Sequence, residues 1–143
     1  MLLAYPVNLE PNGLGGLIAQ FPDVPEALTE ADTIPEVLQW SQDALVVALS
    51  GYLDDRRDIP QPSKPTRGQH LVALPPLVAL KLAIYQAMRD QGLSQADLAK
   101  RLKCDARQVR RLLDLDHNSR LDLLSEALKA LGKRLVIEVA NAA

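Results

Sequence analysis

The chain has 143 residues, 48% of them apolar but only 3% aromatic, and a formal net charge of -2. That length suits one ordinary domain or two small ones with an aliphatic core, and a single cysteine, Cys104, excludes both a disulfide framework and a zinc site of clustered cysteines. No apolar stretch is long enough to cross a membrane, and Met1 to Asn8 lacks the basic region and apolar run of a signal peptide, so a reducing, cytoplasmic location is the expectation.

The small net charge conceals a division. Residues 1–75 hold ten acids against four bases, whereas residues 76–143 hold twelve bases against eight acids. Such asymmetry predicts two partners of different character: a basic protein for the acidic half and polyanionic DNA for the basic half.

In chain order, Leu3, Tyr5, Val7 and Leu9 alternate with Ala4, Pro6 and Asn8, a period of two that predicts a strand. Pro6 cannot donate to a ladder, so one face or edge of this strand should be open. Pro11 to Gly16 is glycine-rich and predicts a turn, and Leu17 to Phe21 returns as the second strand of a hairpin. Ala27 to Glu30 adds a short third strand. Thr33-Ile34-Pro35-Glu36 has capping-box spacing and should open a helix. Ile34, Val37, Leu38, Leu45, Ala48, Leu49 and Tyr52 mark its apolar face, which would cover the sheet. That helix ends near Asp54 to Asp58, a proline-bearing irregular connection follows, and His70 to Leu74 reads as a fourth strand before Pro75-Pro76.

Beyond Pro76 the pattern becomes helical. Leu77 to Gln91 carries Leu80, Ile84 and Met88 on one stripe and stops at Gly92. Ser94-Gln95-Ala96-Asp97 opens the next helix with a cap and an acid at its third position, and Asp105 can cap the one after. Ser119-Arg120-Leu121-Asp122 repeats the device ahead of the stripe Leu121, Leu124, Leu128 and Leu131. Leu135 to Val139 reads as a final strand. It has no evident partner in its own half, so pairing with a second copy, and hence a homodimer or higher homo-oligomer, is expected. These elements make two domains, 1–75 and 76–143.

Gly92 to Leu113 has the layout of a helix-turn-helix. Leu98, Ala99 and Leu102 would face Val109, Leu112 and Leu113, with the small Ala99 allowing a close crossing. Arg107, Gln108, Arg110 and Arg111 are then left outside. Arginine reads guanine with two parallel hydrogen bonds and glutamine reads adenine, so these four are expected to contact base edges in the major groove. Ser94 and Gln95 at a helix start, together with Arg101, Asn118 and Arg120, suit backbone phosphates. The expected partner of this half is operator double-stranded DNA.

Several motifs together resemble one known family. Tyr5-Pro6-Val7, Gly15-Gly16, the run from Phe21-Pro22-Asp23-Val24-Pro25 to Thr33, and Asp43-Ala44-Leu45 are similar to the HicB antitoxin pattern. The similarity continues through the proline-rich connection and the helix-turn-helix to Ala130-Leu131-Gly132-Lys133. It implies an α+β chain: a partial RNase H-like N-terminal domain, then an all-helical helix-turn-helix domain with a short C-terminal dimerisation strand. It further implies that the first domain masks HicA, a small basic toxin that cleaves messenger RNA, and that the second represses the chain's own operon. Asp23, Glu26, Glu30 and Asp32 around the turn after the hairpin are the expected electrostatic toxin contacts. The chain departs from the family at Leu17, often aromatic there, at Ala31, often glycine, and at Lys103-Cys104, which replaces a glycine-containing turn. An alternative reading is a free-standing transcription regulator whose N-terminal domain senses a ligand or protein.

No catalytic apparatus is legible. Metal-dependent nuclease chemistry needs converging carboxylates, and neither Leu2 to Leu9 nor Leu17 to Phe21 contains an acid. His70 and His117 lack neighbours at ligand spacing, so no metal or cofactor is expected and both histidines read as structural or surface residues. Cys104 reads as a small packed residue, and Trp40 as a core residue, with an aromatic anchor in a toxin-binding patch as the alternative.

Overall fold

The computed structural model describes residues 4–142. The chain divides into two units between Ala79 and Leu80. The first contains β1 (Ala4–Pro11), β2 (Leu17–Gln20), β3 (Leu28–Ala31), α1 (Ile34–Asp54) and β4 (His70–Ala73). The second contains most of α2 (Pro76–Asp90), then α3 (Gln95–Leu102), α4 (Ala106–Leu113) and α5 (Leu121–Ala130). Among the described residues the fold is therefore mixed, a four-stranded sheet and five helices. Leu3, expected at the start of the first strand, lies outside the described residues.

The sheet is antiparallel throughout, in the order β3-β2-β1-β4. The β1–β2 hairpin closes through Asn12, whose side-chain oxygen accepts from the amides of Leu14 and Gly16 at 2.8 and 2.9 Å. Gly16 is required by space: a Cβ there would lie 2.8 Å from the Ala31 carbonyl oxygen of the strand beside it. Tyr5, Pro6 and Val7 are buried in succession along β1, which lies between β2 and β4. Neither face is therefore open at Pro6, against the expectation from its missing N–H. Ala19, Phe21, Val72 and Leu74 complete that core with one face of α1. Full burial of a side chain such as Phe21 or Leu45 stabilises by about 1.5–3 kcal/mol.

Helix α1 starts where its cap predicts. The Thr33 hydroxyl accepts from the Glu36 amide at 3.3 Å, and Pro35 sits in the first turn, where its missing N–H costs nothing. Its buried stripe is Val37, Ser41, Leu45, Leu49 and Tyr52. Ile34, expected in that stripe, is exposed because it precedes the first turn that reaches the sheet. Ser41 tolerates burial by donating its hydroxyl to the Val37 carbonyl. Trp40 corrects the sequence reading: one residue is a 100° step, so beside the buried Ser41 it is swung outward and is 57% exposed.

In the helical unit, Ile84, Met88, Leu98, Val109, Leu112, Leu124, Leu128 and Leu131 are buried. Two expectations fail here. Ser119 does not cap α5: Arg120 is the N-cap and makes no side-chain cap bond, while Ser119 is buried and occupied elsewhere. Leu121, placed in the apolar stripe, is exposed in the first turn of α5. The C-terminal strand is likewise absent from the single chain. Residues 135–139 form no ladder, because a strand needs a backbone partner and the helical unit contains no other strand among the described residues; Val136, Ile137 and Val139 stand exposed.

Candidate functional site

The chemistry-bearing side chains of the helical unit lie on α3, α4 and the start of α5. Ser94 and Asp97 form a reciprocal capping box, with the Asp97 amide donating to the Ser94 hydroxyl at 3.1 Å and the Ser94 amide donating to the Asp97 carboxylate at 2.9 Å. Those bonds to Ser94 hold the Asp97 carboxyl below the usual range, with Lys100 and Arg101 adding to them. The Ser94 amide is thus already given to Asp97, and the Ser94 hydroxyl oxygen to the Asp97 amide. Gln95 is exposed beside it.

Between α3 and α4 the chain turns at Lys103, whose φ of 53° and ψ of 46° are left-handed. Lysine here takes the conformation that a glycine would adopt more cheaply. Asp105 then caps α4 by accepting from the Gln108 amide at 2.9 Å. The helical phase of α4 buries Val109 and Leu112 and exposes Arg107, Gln108, Arg110 and Arg111. Cys104 in the turn is half-buried; burial, with Asp105 beside it, pushes its thiol above the usual range, away from the reactive thiolate.

Five of the nine expected DNA contacts, Arg101, Gln108, Arg111, Asn118 and Arg120, line one cleft of about 540 Å³. Lys103 and Lys129 add positive charge to its rim, and Glu126 is its single carboxylate; Leu102, Leu112 and Leu123 provide the apolar lining. Arg107 and Arg110 project from α4 outside the cleft, and Ser94 and Gln95 stand apart from it at the start of α3. Two of the arginines have protein partners: Arg101 donates to the Ala130 carbonyl at 2.8 Å, where its charge complements the end of α5, and Arg120 pairs with Asp122 at 2.9 Å.

Sequence reading missed Lys81. It is fully buried, and its ammonium donates to the Arg111 carbonyl and to the Ser119 hydroxyl, both at 2.7 Å. Burial lowers its pKa below the ordinary lysine value, against the pull of Asp114. The signal was present: Lys81 occupies the same helical stripe as the buried Val78 and Tyr85, where a charge is out of place.

The four acids of the N-terminal unit are spread rather than gathered. Asp23 accepts from the Ser63 amide and hydroxyl at 2.8 and 2.9 Å, tying down the proline-rich connection. Glu26 accepts from the Tyr52 hydroxyl at 2.9 Å and pairs with Arg57 at 3.4 Å, and Arg57 lies 4.0 Å over the Tyr52 ring. Desolvation opposes the Glu26 charge, yet Tyr52, its own backbone amide and Arg57 outweigh it and hold the carboxyl below the usual range. Glu30 accepts from the Asn12 amide group at 3.3 Å, and Asp32 is exposed. His117 is exposed on the cleft, and His70 opens β4 with its Nδ1 buried and unbonded. Among the described residues no three His, Cys, Asp or Glu side chains converge to hold a cation, and no helix is long and apolar enough to cross a membrane.

Residues 4–83 match a family model described as HicB_like antitoxin of bacterial toxin-antitoxin system. Over 133 residues the chain is 41% identical to Antitoxin HicB 2 of Photorhabdus laumondii, covering 93% of this chain and 94% of that protein. Antitoxin HicB of Escherichia coli K12 is 36% identical over 133 residues, 93% of this chain and 96% of its own length. Antitoxin HicB of Pseudomonas fluorescens is 35% identical over 137 residues, 95% of this chain and 92% of its own. The similarity thus runs through both units, and the chain belongs to the HicB-like family of antitoxins of bacterial toxin–antitoxin systems.

Proposed function

We propose that this antitoxin acts in the cytoplasm as a binder without catalysis, its N-terminal unit masking a HicA-type toxin and its helical unit repressing its own operon. The three-stranded meander, the single long helix after it and the fourth strand beside β1 support reading the first unit as partial RNase H-like. The capped helices α3 and α4, joined at the left-handed Lys103, support reading the second as a helix-turn-helix.

The observation that carries the DNA reading is the phase of α4. Val109 and Leu112 turn inward, so Arg107, Gln108, Arg110 and Arg111 are free to enter a major groove, while Arg101, Asn118 and Arg120 contact phosphates beside it. A dimer would present two such helices to half-sites separated by about one DNA turn, roughly 34 Å, or a multiple of it. For the toxin, Asp23, Glu26, Glu30 and Asp32 supply complementary charge that speeds encounter and favours the right partner.

Two measurements on the full chain test the reading. Inducing the small protein encoded beside this gene should arrest growth, and co-expressing the chain should restore it. Fluorescence anisotropy should show tighter binding to the duplex upstream of the operon than to a scrambled duplex, with Arg110→Ala narrowing that preference by about 1–3 kcal/mol. Failure of rescue removes the toxin-masking role, and equal affinity for both duplexes removes the operator role.

A further inference from the structure

We propose that the outward row of α1, together with the groove between α1 and the edge strand β3, is where the toxin docks, and that it accepts a cationic protein face carrying an apolar anchor. The inference rests on the antitoxin reading and gives it a surface that the four turn acids reach only at Glu26, on the groove rim.

The buried stripe Val37, Ser41, Leu45, Leu49 and Tyr52 fixes which side of α1 faces the sheet. At about 100° per residue, Glu36, Trp40, Asp43, Val47 and Asp54 all fall within an arc of roughly 60° on the opposite side. The row therefore alternates carboxylates with apolar side chains, and α1 contains no lysine or arginine. Trp40 and Val47 are 57% and 72% exposed, one on each side of Asp43 along the helix. Val47 also joins the exposed Leu28 of β3 in a shallow groove of about 470 Å³ lined by Ala44, Ala48 and Gly51. A Cβ at Gly51 would meet nothing within 4 Å, so the groove is open to an incoming side chain. Glu26 and Asp55 stand at its rim.

Charge selects the occupant. Two copies packed through this row would set Glu36, Asp43 and Asp54 against their equivalents, with no cation on the helix to relieve them. Arg57 at the groove rim is already committed to Glu26 and the Tyr52 ring. Nucleic acid is repelled by the same carboxylates. A basic protein face fits: a guanidinium can stack on the indole of Trp40 while pairing with Asp43, and the aliphatic stem of a lysine or arginine can lie along Val47. Exposed tryptophans of this kind are frequent energetic anchors of protein interfaces.

Trp40 is the chain's single tryptophan and so reports on its own surface. The test uses the full chain and the toxin encoded by the neighbouring reading frame. Trp40→Ala and the double variant Asp43→Lys with Val47→Lys should each weaken calorimetric binding at least about tenfold while far-UV circular dichroism stays unchanged. Wild-type indole emission, corrected with a Trp40→Phe blank, should shift to shorter wavelength in the complex. Toxin binding by both variants at wild-type strength, or an unshifted indole in a formed complex, overturns the surface assignment. Absence of binding by the wild-type chain overturns the antitoxin reading beneath it.

Discussion

The Lys81 ammonium donates to the Arg111 carbonyl oxygen at 2.7 Å, so a buried charge on α2 closes the C-terminal end of the helix that bears the arginines. The same ammonium reaches Ser119 in the segment leading to α5. Asn118 and Arg120 flank that serine, so one side chain orients both the proposed base-reading helix and the proposed phosphate contacts. Cations favour helix C-termini because the last carbonyls lack intrahelical partners. Lys81→Met keeps most of the volume but leaves both acceptors unsatisfied, and should destabilise the helical unit by about 1–3 kcal/mol. The loss should depend on pH. Because the folded pKa lies below the unfolded one, the unfolded chain binds more protons between the two values, and wild-type stability gains on the variant as pH rises through that window toward 10.5. Urea unfolding followed by circular dichroism at pH 8 and pH 10 checks both the loss and its sign.

Tyr5 gives the opposite sign in the other unit. Its hydroxyl donates to the Pro60 carbonyl at 2.7 Å, and burial, helped by Asp23 and Tyr52, pushes its pKa up to about 12. Below pH 10 the phenol is neutral in both states and its stabilisation is complete. Between pH 10 and 12 the unfolded chain ionises first, so that stabilisation drains away. Tyr5→Phe should cost about 1 kcal/mol at pH 7 and progressively less above pH 10. Trp40 fluorescence during denaturation follows this unit; a gap between the two proteins that widened with alkalinity would refute the assignment.

What could be read from the sequence was local. The β1–β2 hairpin, the Thr33 and Ser94 caps and the outward face of α4 each depend on residues a few positions apart, so their spacing carries the physics. Ser119 had the same capping spacing, yet it serves Lys81, 38 positions earlier, because a buried ammonium needs acceptors more than a helix start needs one hydroxyl. The residue type of Trp40 favours the core, but the phase of its neighbours Val37, Ser41 and Leu45 places it outside. The β-prone apolar run Leu135 to Val139 is legible, but a strand's partner is not encoded in its own composition. The cleft that gathers Arg101, Gln108, Arg111, Asn118 and Arg120 depends on how α3, α4 and α5 pack, which no single helix pattern contains.

Lys103 holds a strained backbone that a simple substitution should relieve. A left-handed conformation costs a residue with a side chain about 1–2 kcal/mol, and glycine returns about 0.5–1 kcal/mol of that through its freer unfolded state. Lys103→Gly should therefore raise stability by about 0.5 kcal/mol, a gain visible as a higher denaturant midpoint with an unchanged slope. Its charge lies on the cleft rim, so the same variant should bind DNA less tightly and show a shallower salt dependence by about one ion. Lower stability would mean that the lysine side chain contributes packing worth more than the strain.

The exposed tail supplies the last prediction. Val136, Ile137 and Val139 are 64%, 67% and 92% exposed, with unpaired backbone along their length in a single chain. Antiparallel pairing of two such tails would give each backbone a partner along one edge and shield these side chains, joining two helical units as binding to two half-sites requires. Ending the chain after Lys133 removes the tail without touching α5, whose last turn closes through Leu131 and Gly132. The shortened chain should keep its helicity and sediment as a smaller species than the full chain. It should also bind the upstream duplex at least about a hundredfold more weakly, since linked half-sites gain roughly 10²–10⁴ over one. Equal sedimentation of the two chains would locate any self-association elsewhere, and a full chain that is already monomeric at micromolar concentration would discard the pairing.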